Sequence, residues 1–129
     1  MRYLIDTCVF LWVVEDSPRL SKTLRTVLQN PDHEIYLSAV SIWEITLKHQ
    51  LGKLPLSRPV QEFVAHFRQV HGIASLPLSE EEVFQLGRLP MLHRDPFDRL
   101  LVGQAIAQGL VIITPDQDIH RYPVRVLWT

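Results

Sequence analysis

The chain has 129 residues, 47% of them hydrophobic, with 13 Lys and Arg set against 14 Asp and Glu for a formal net charge of −1. That length fits a single domain over residues 1–129 with its own core, and so even a charge balance excludes a uniformly basic nucleic-acid binder; contact with nucleic acid has to come from a local patch. The lone cysteine, Cys8, excludes an internal disulfide, no apolar run is long enough to span a membrane, and Asp6 breaks the only leader-like stretch, so a cytoplasmic location is expected.

In chain order, "RYLID" reads as a short buried strand and "TCVFLWVV" as an apolar helix. "SKTLRTVLQN" is amphipathic, with Leu24, Val27 and Leu28 on one face and Asn30-Pro31 as its stop. "HEIYLS" is a second strand. "AVSIWEITLKHQLG" is a helix closed by Gly52, and "KLPLSRP" is a turn. "VQEFVAHFRQVHG" is a helix ending at Gly72, followed by the strand "IASLPL". Ser79 caps "EEEVFQLGRL", whose early glutamates suit a helix N-terminus. "PFDRLLVGQAIAQG" has proline in its first turn and Gly109 at its end. "LVIIT" and "VRVLW" are the last strands. Strands alternating with helices predict an α/β fold: a central parallel five-stranded sheet with helices on both faces.

Several carboxylates sit where apolar residues or bare turns would suffice. Asp6 ends the first strand and Asp116 follows the fourth, in "VIITPDQD". Ligands of open parallel sheets bind outside the carboxyl ends of the strands, where strand order reverses. If the first and fourth strands are neighbours there, Asp6 and Asp116 face each other; otherwise each is an ordinary cap or turn residue. Glu44 lies beside the stripe Val40, Leu47, Leu51 expected to be buried, where a lone carboxylate is costly unless paired or metal-bound. The competing reading is a capping box with Ser41, against which Ser38 competes as the cap. In "RDPFDRLL", Asp95 precedes a first-turn proline and is the natural helix cap, while Asp98 heads the face of Leu101, Val102 and Ala105 and is expected to point into a cleft. Asp6, Glu44, Asp98 and Asp116 gathered near one point would repel one another, and a hard divalent cation, Mg²⁺ or Mn²⁺, would resolve this.

Those segments together are similar to the PIN domain family, and in particular to VapC-type toxin ribonucleases of bacterial and archaeal toxin–antitoxin pairs. "YLIDTCVFLW" resembles the family's opening strand and helix, "SAVSIWEITLKHQLGKL" its glutamate-bearing helix, and "HRDPFDRLLVGQA" with "IITPDQDI" its later acidic segments. The resemblance covers essentially the whole chain. It implies a metal-dependent endoribonuclease that forms a homodimer and is silenced by a cognate antitoxin. It assigns Asp6, Glu44, Asp98 and Asp116 as the acidic quartet, with Asp6 and Asp98 on the metal and Glu44 and Asp116 reaching it through water. Thr7 and Thr114 match hydroxyl positions beside the site. Pro115 departs from the family pattern and bears on the loop that carries Asp116. The reaction so implied is hydrolysis of RNA to a 5′-phosphate and a 3′-hydroxyl.

Other residues carry less. The histidines show no zinc spacing; His93 and His120 lie near acidic segments, where they either touch substrate or are ordinary surface residues, and the surface reading is favoured. Trp12, Trp43 and Trp128 are expected in the core or a dimer contact. Lys48, Lys53, Arg94 and Arg99 are read as a basic rim for an RNA backbone or as ordinary surface charges, with Arg99 pairing a nearby acid. The rival functions are a non-catalytic binding module, against which the intact quartet counts, and a phosphoaspartate enzyme or receiver, against which "DTCVF" lacks a second aspartate.

Overall fold

The elements run β1 (Arg2–Ile5), α1 (Thr7–Glu15), α2 (Lys22–Gln29), β2 (Glu34–Ser38), α3 (Ala39–Gln50), α4 (Val60–His71), β3 (Ala74–Leu76), α5 (Glu80–Gln85), α6 (Pro96–Gln108), β4 (Val111–Ile113), α7 (Gln117–His120) and β5 (Val126–Leu127). They are drawn from a computed structural model that describes residues 1–129. All five strands are parallel, in the order β3-β2-β1-β4-β5. Tyr3 pairs with Ile35 on one side and Val111 on the other, so β1 is central and adjoins β4, as the acidic-site expectation required.

Alternation along the strands divides the core in two. Tyr3, Ile5, Ile35, Leu37, Val111 and Ile113 face a cluster completed by Val9, Phe10, Leu24, Phe63 and Val64, which places α1, α2 and α4 on that face. Leu4 and Ile112 point the other way, into Leu101, Val102, Ala105 and Ile119 of α6 and α7. Both faces of the sheet are therefore covered, which explains why the strands read as continuous apolar runs. No helix is long and apolar enough to cross a membrane.

Helix α6 begins where expected. Asp95 accepts hydrogen bonds from the amides of Phe97 (2.9 Å) and Asp98 (3.2 Å), with Pro96 in the first turn. It ends at Gly109, whose φ of 68° lets the chain reverse directly into β4. A second close approach occurs at Gly103, where a Cβ would stand 2.9 Å from the carbonyl oxygen of Glu82, so α5 and α6 pack backbone to backbone. Glu82 is itself buried, completing a capping box with Ser79 and accepting from the side-chain amides of Gln104 (3.0 Å) and Gln108 (2.9 Å).

Three local expectations are corrected, and one open alternative is decided. The helix after Ser79 ends at Gln85 and tightens into a 3₁₀ turn, Leu86–Arg88. A short α7, not anticipated, follows Asp116. Leu51 is 59% exposed, so the buried side of α3 is formed by Val40, Ser41, Glu44 and Ile45 rather than by a stripe reaching Leu51. The Ser41–Glu44 capping box does not form: Ser38 caps α3 through the Val40 amide (2.9 Å), and the Ser41 hydroxyl has no partner.

Candidate active site

The carboxyl ends of β1 and β4 open into a cleft of about 340 Å³ lined by Asp6, Glu44, Asp98 and Asp116, together with Thr7, Cys8, Lys48, Lys53 and Asp95. This is the switch point of the sheet, since β2 lies on one side of β1 and β4 on the other. A larger cleft of about 540 Å³ lies elsewhere, beside Leu28, His33 and Ile73; its one carboxylate, Asp16, is bound by Arg25.

Asp6 leaves β1 with its own amide still bonded to the Ile113 carbonyl (3.1 Å), which fixes it against β4. One carboxylate oxygen caps α1 through the Thr7 amide (2.7 Å), and the other accepts from the Thr114 hydroxyl (2.7 Å). Thr114 Oγ1 in turn accepts from the Asp116 amide at 3.0 Å, so one hydroxyl ties the two acidic segments together. Asp116 caps α7 through the Asp118 amide (2.8 Å), and Pro115 does not displace it from the cleft. Asp98 enters from the first turn of α6. Carboxylate oxygens of Asp6, Asp98 and Asp116 all lie within 4.8 Å of one another. Cap and cluster member, treated as alternatives for Asp6 and Asp116, are thus two roles of the same side chains.

Glu44 lines the cleft but stands outside this group of three. Its carboxylate is ion-paired with Lys48 one turn along α3. Lys48 and Lys53 form the cationic part of the rim.

The electrostatics follow from burial first and from like-charge crowding second. Burial is the main cause raising Asp6, opposed by the Thr114 and Thr7 hydrogen bonds and reinforced by Glu44 and Asp116. Burial also pushes Asp98 up to about 8, with Asp6, Asp95, Asp116 and Glu44 adding like-charge repulsion. The hydrogen bond from Lys48 to Glu44 raises the lysine. Burial, then Asp6, pushes the Cys8 thiol up to about 12, so Cys8 is a neutral wall of the cleft rather than a nucleophile.

A divalent cation fits these residues. The donors are all oxygens, which hard cations prefer. No lysine or arginine is bonded to Asp6 or Asp98. The Thr7 hydroxyl, buried in the cleft wall, has no hydrogen-bond partner.

Several sequence expectations for the surroundings are overturned. His93 is not a free surface residue: its ring bridges Asp98 (Nε2, 3.2 Å) and the Tyr122 hydroxyl (Nδ1, 2.8 Å), and its side chain is only 12% exposed. Arg99 belongs to no rim and pairs with no acid. It is buried, donating to the Pro90 carbonyl (2.9 Å), the Tyr122 hydroxyl (3.0 Å) and the Leu86 carbonyl (3.4 Å). His120 is exposed as expected, yet it contacts the Thr114 carbonyl (2.9 Å) beneath the Asp116 loop. Trp12 and Trp128 pack together (centroids 5.8 Å apart), whereas Trp43 is 51% exposed and rests edge-on against Phe97. Tyr122, which joins His93 and Arg99 from 29 and 23 residues away, is marked by no local signal in the sequence.

A model of the PIN domain matches residues 3–125. Ribonuclease VapC22 of Mycobacterium tuberculosis is 29% identical over 126 residues, covering 93% of this chain and 92% of that protein. Among solved structures, VapBC2 from Rickettsia felis, bound to a DNA fragment from its promoter, superposes with a TM-score of 0.75 at 18% identity, covering 98% of both chains. VapBC-5 of Mycobacterium tuberculosis, described as a member of the VapBC family of toxin–antitoxin systems, has a TM-score of 0.62 at 17% identity over 99% of this chain and 98% of its own. At those identities the structural likeness speaks to the fold.

Proposed function

Since the chain belongs to the PIN domain family, we propose that it is a metal-dependent endoribonuclease, the toxin of a toxin–antitoxin pair, acting in the cytoplasm. The observation that carries the reading is the meeting of Asp6, Asp98 and Asp116 within 4.8 Å at the switch point, in a chain similar over nearly its whole length to a ribonuclease.

Asp6 and Asp98 would hold the ion, Mg²⁺ or Mn²⁺, with Glu44 and Asp116 reaching it through water. When bound, a divalent cation acidifies water and neutralises charge on the phosphodiester. The protein's own groups do the rest. The Thr7 amide and the Thr114 hydroxyl hold the Asp6 carboxylate from the α1 and β4 ends, so it would receive the ion without rearranging. Asp116 accepts a hydrogen of the attacking water and aims its oxygen at phosphorus. Glu44 steadies Lys48 at the rim, where Lys48 and Lys53 take flanking phosphates of the RNA backbone. The P–O3′ bond breaks and the departing O3′ takes a proton from solvent water, leaving a 5′-phosphate and a 3′-hydroxyl. The Cys8 and Leu11 side chains limit solvent access on the α1 side.

The same reading includes protein partners. A cognate antitoxin silences the enzyme by placing a basic side chain in the acidic cleft. Exposed Trp43, Phe84 and Met91, at 51%, 61% and 75%, are apolar area suited to a homodimer or that antitoxin. The test is cleavage of single-stranded or looped RNA with Mg²⁺ or Mn²⁺, against excess chelator and the Asp6→Asn variant. Cleavage confined to the metal-containing wild-type reaction is expected; full cleavage in chelator, or RNA binding without any cleavage, would refute the reading.

A further inference from the structure

The contact between His93 and Asp98 is one end of a longer chain of bonds. Arg99 Nη1 lies 3.0 Å from the Tyr122 hydroxyl, that hydroxyl 2.8 Å from His93 Nδ1, and His93 Nε2 3.2 Å from Asp98 Oδ2. The groups come from the loop before α6, from α6 itself and from the turn after α7, so the chain is a tertiary contact rather than a local one.

Its polarity is set by valence. A guanidinium only donates, so Arg99 gives its hydrogen to the Tyr122 oxygen. Tyr122 is 3% exposed, and its own hydroxyl hydrogen has one acceptor within reach, His93 Nδ1. A ring that accepts at Nδ1 carries its hydrogen on Nε2, which faces Asp98 Oδ2. Arg99 is in turn locked by the Pro90 and Leu86 carbonyls, so the outer end cannot reorient.

We infer that His93 is a positioning residue for the cleavage reaction: Tyr122 and Arg99 fix its tautomer, and its Nε2–H anchors Oδ2 of Asp98, leaving the other carboxylate oxygen as the donor for the divalent ion. This rests on the metal-site reading above. Partners that orient a ligating carboxylate raise metal affinity, and losing one typically costs about 10- to 100-fold. A purely structural tie between the loop and α7 would instead lower stability and leave affinity alone.

The first experiment needs no variant. Two-bond ¹H–¹⁵N correlation spectra of the metal-free protein in mildly alkaline buffer report each ring's tautomer, with His93 assigned by its disappearance in His93→Gln. The Nε2–H form is expected at His93 in the wild type, and a mixture in Tyr122→Phe. The second experiment measures Mn²⁺ affinity by the paramagnetic resonance of the free ion. His93→Ala is expected to weaken it by about tenfold or more, and Tyr122→Phe to weaken it less. His93→Gln, whose amide places a donor near the Nε2 position, is expected to restore most of it. An Nδ1–H ring in the wild type, or Mn²⁺ affinity unchanged in both His93→Ala and Tyr122→Phe, would overturn the inference alone. Failure of the wild type to bind Mn²⁺ would overturn it together with the metal-site reading.

Discussion

Replacing Asp98 with asparagine should make the metal-free protein more stable as pH rises while abolishing its response to metal. An ordinary aspartate titrates at 3.8, whereas burial and four neighbouring carboxylates push Asp98 up to about 8. Between those values the folded protein holds a proton that the unfolded chain has released. Folding stability contributed by this group is therefore fully present below the lower value and is lost as pH climbs through the upper one. The slope is at most ~1.4 kcal/mol per pH unit, or about 3 kcal/mol from roughly pH 5 to pH 7. At roughly 4 °C per kcal/mol for a domain of this size, that is a fall in Tm of up to about 12 °C. Asp6, raised chiefly by burial and further by Glu44 and Asp116, adds to the slope in the same direction. Asp98→Asn removes the Asp98 share and relieves Asp6 of a neighbour. Thermal and urea unfolding followed by circular dichroism in chelator, across that range, should show a markedly flatter profile for the variant and equal or greater stability at neutral pH. Saturating Mg²⁺ should stabilise the wild type, by about 2.7 kcal/mol at a hundredfold excess over Kd, and leave Asp98→Asn nearly unmoved. Parallel pH profiles for the two proteins in chelator, or equal stabilisation of both by Mg²⁺, would refute the reasoning.

Asp95→Asn should behave oppositely: asparagine caps as well as aspartate, so unfolding free energy should stay within about 0.5 kcal/mol and most RNA cleavage should survive, as denaturation and a gel assay would report. Gly103→Ala should destabilise by about 1–3 kcal/mol in urea titrations, because the new methyl meets the Glu82 carbonyl at 2.9 Å and that oxygen belongs to backbone rather than to a side chain free to move. Arg99→Lys should cost about 1–3 kcal/mol by the same measurement, since an ammonium cannot reach the Pro90 carbonyl, the Leu86 carbonyl and the Tyr122 hydroxyl together and leaves buried polar atoms unpaired; an unchanged midpoint would show that water replaces the guanidinium there.

What the sequence by itself determined was whatever depends on short-range pattern. Apolar runs at strand length, proline and aspartate at the head of α6, and Gly109 at its end act through neighbours in the chain, so those elements and the Asp95 cap were legible. The positions of Asp6, Asp98 and Asp116 at element ends were legible too, and a parallel sheet brings such ends to one edge. Tertiary structure decided the rest. Glu44 lines the same cleft but stands outside the group of three, with its carboxylate paired to Lys48 at i+4; that spacing is visible in the sequence, whereas how far the carboxylate stands from Asp6, Asp98 and Asp116 is set by how α3 packs. Leu51 continued an apolar stripe, yet it lies past the end of α3 at its C-cap and is exposed. His93 and Arg99 read as polar surface because burial of a polar group is a property of what surrounds it. Their common partner, Tyr122, lies 29 and 23 residues away in the chain, and only the packing of α7 against α6 brings its hydroxyl between them. A hydrogen bond is set by ångströms and by which atom carries the hydrogen, whereas sequence periodicity resolves only which face of an element is apolar.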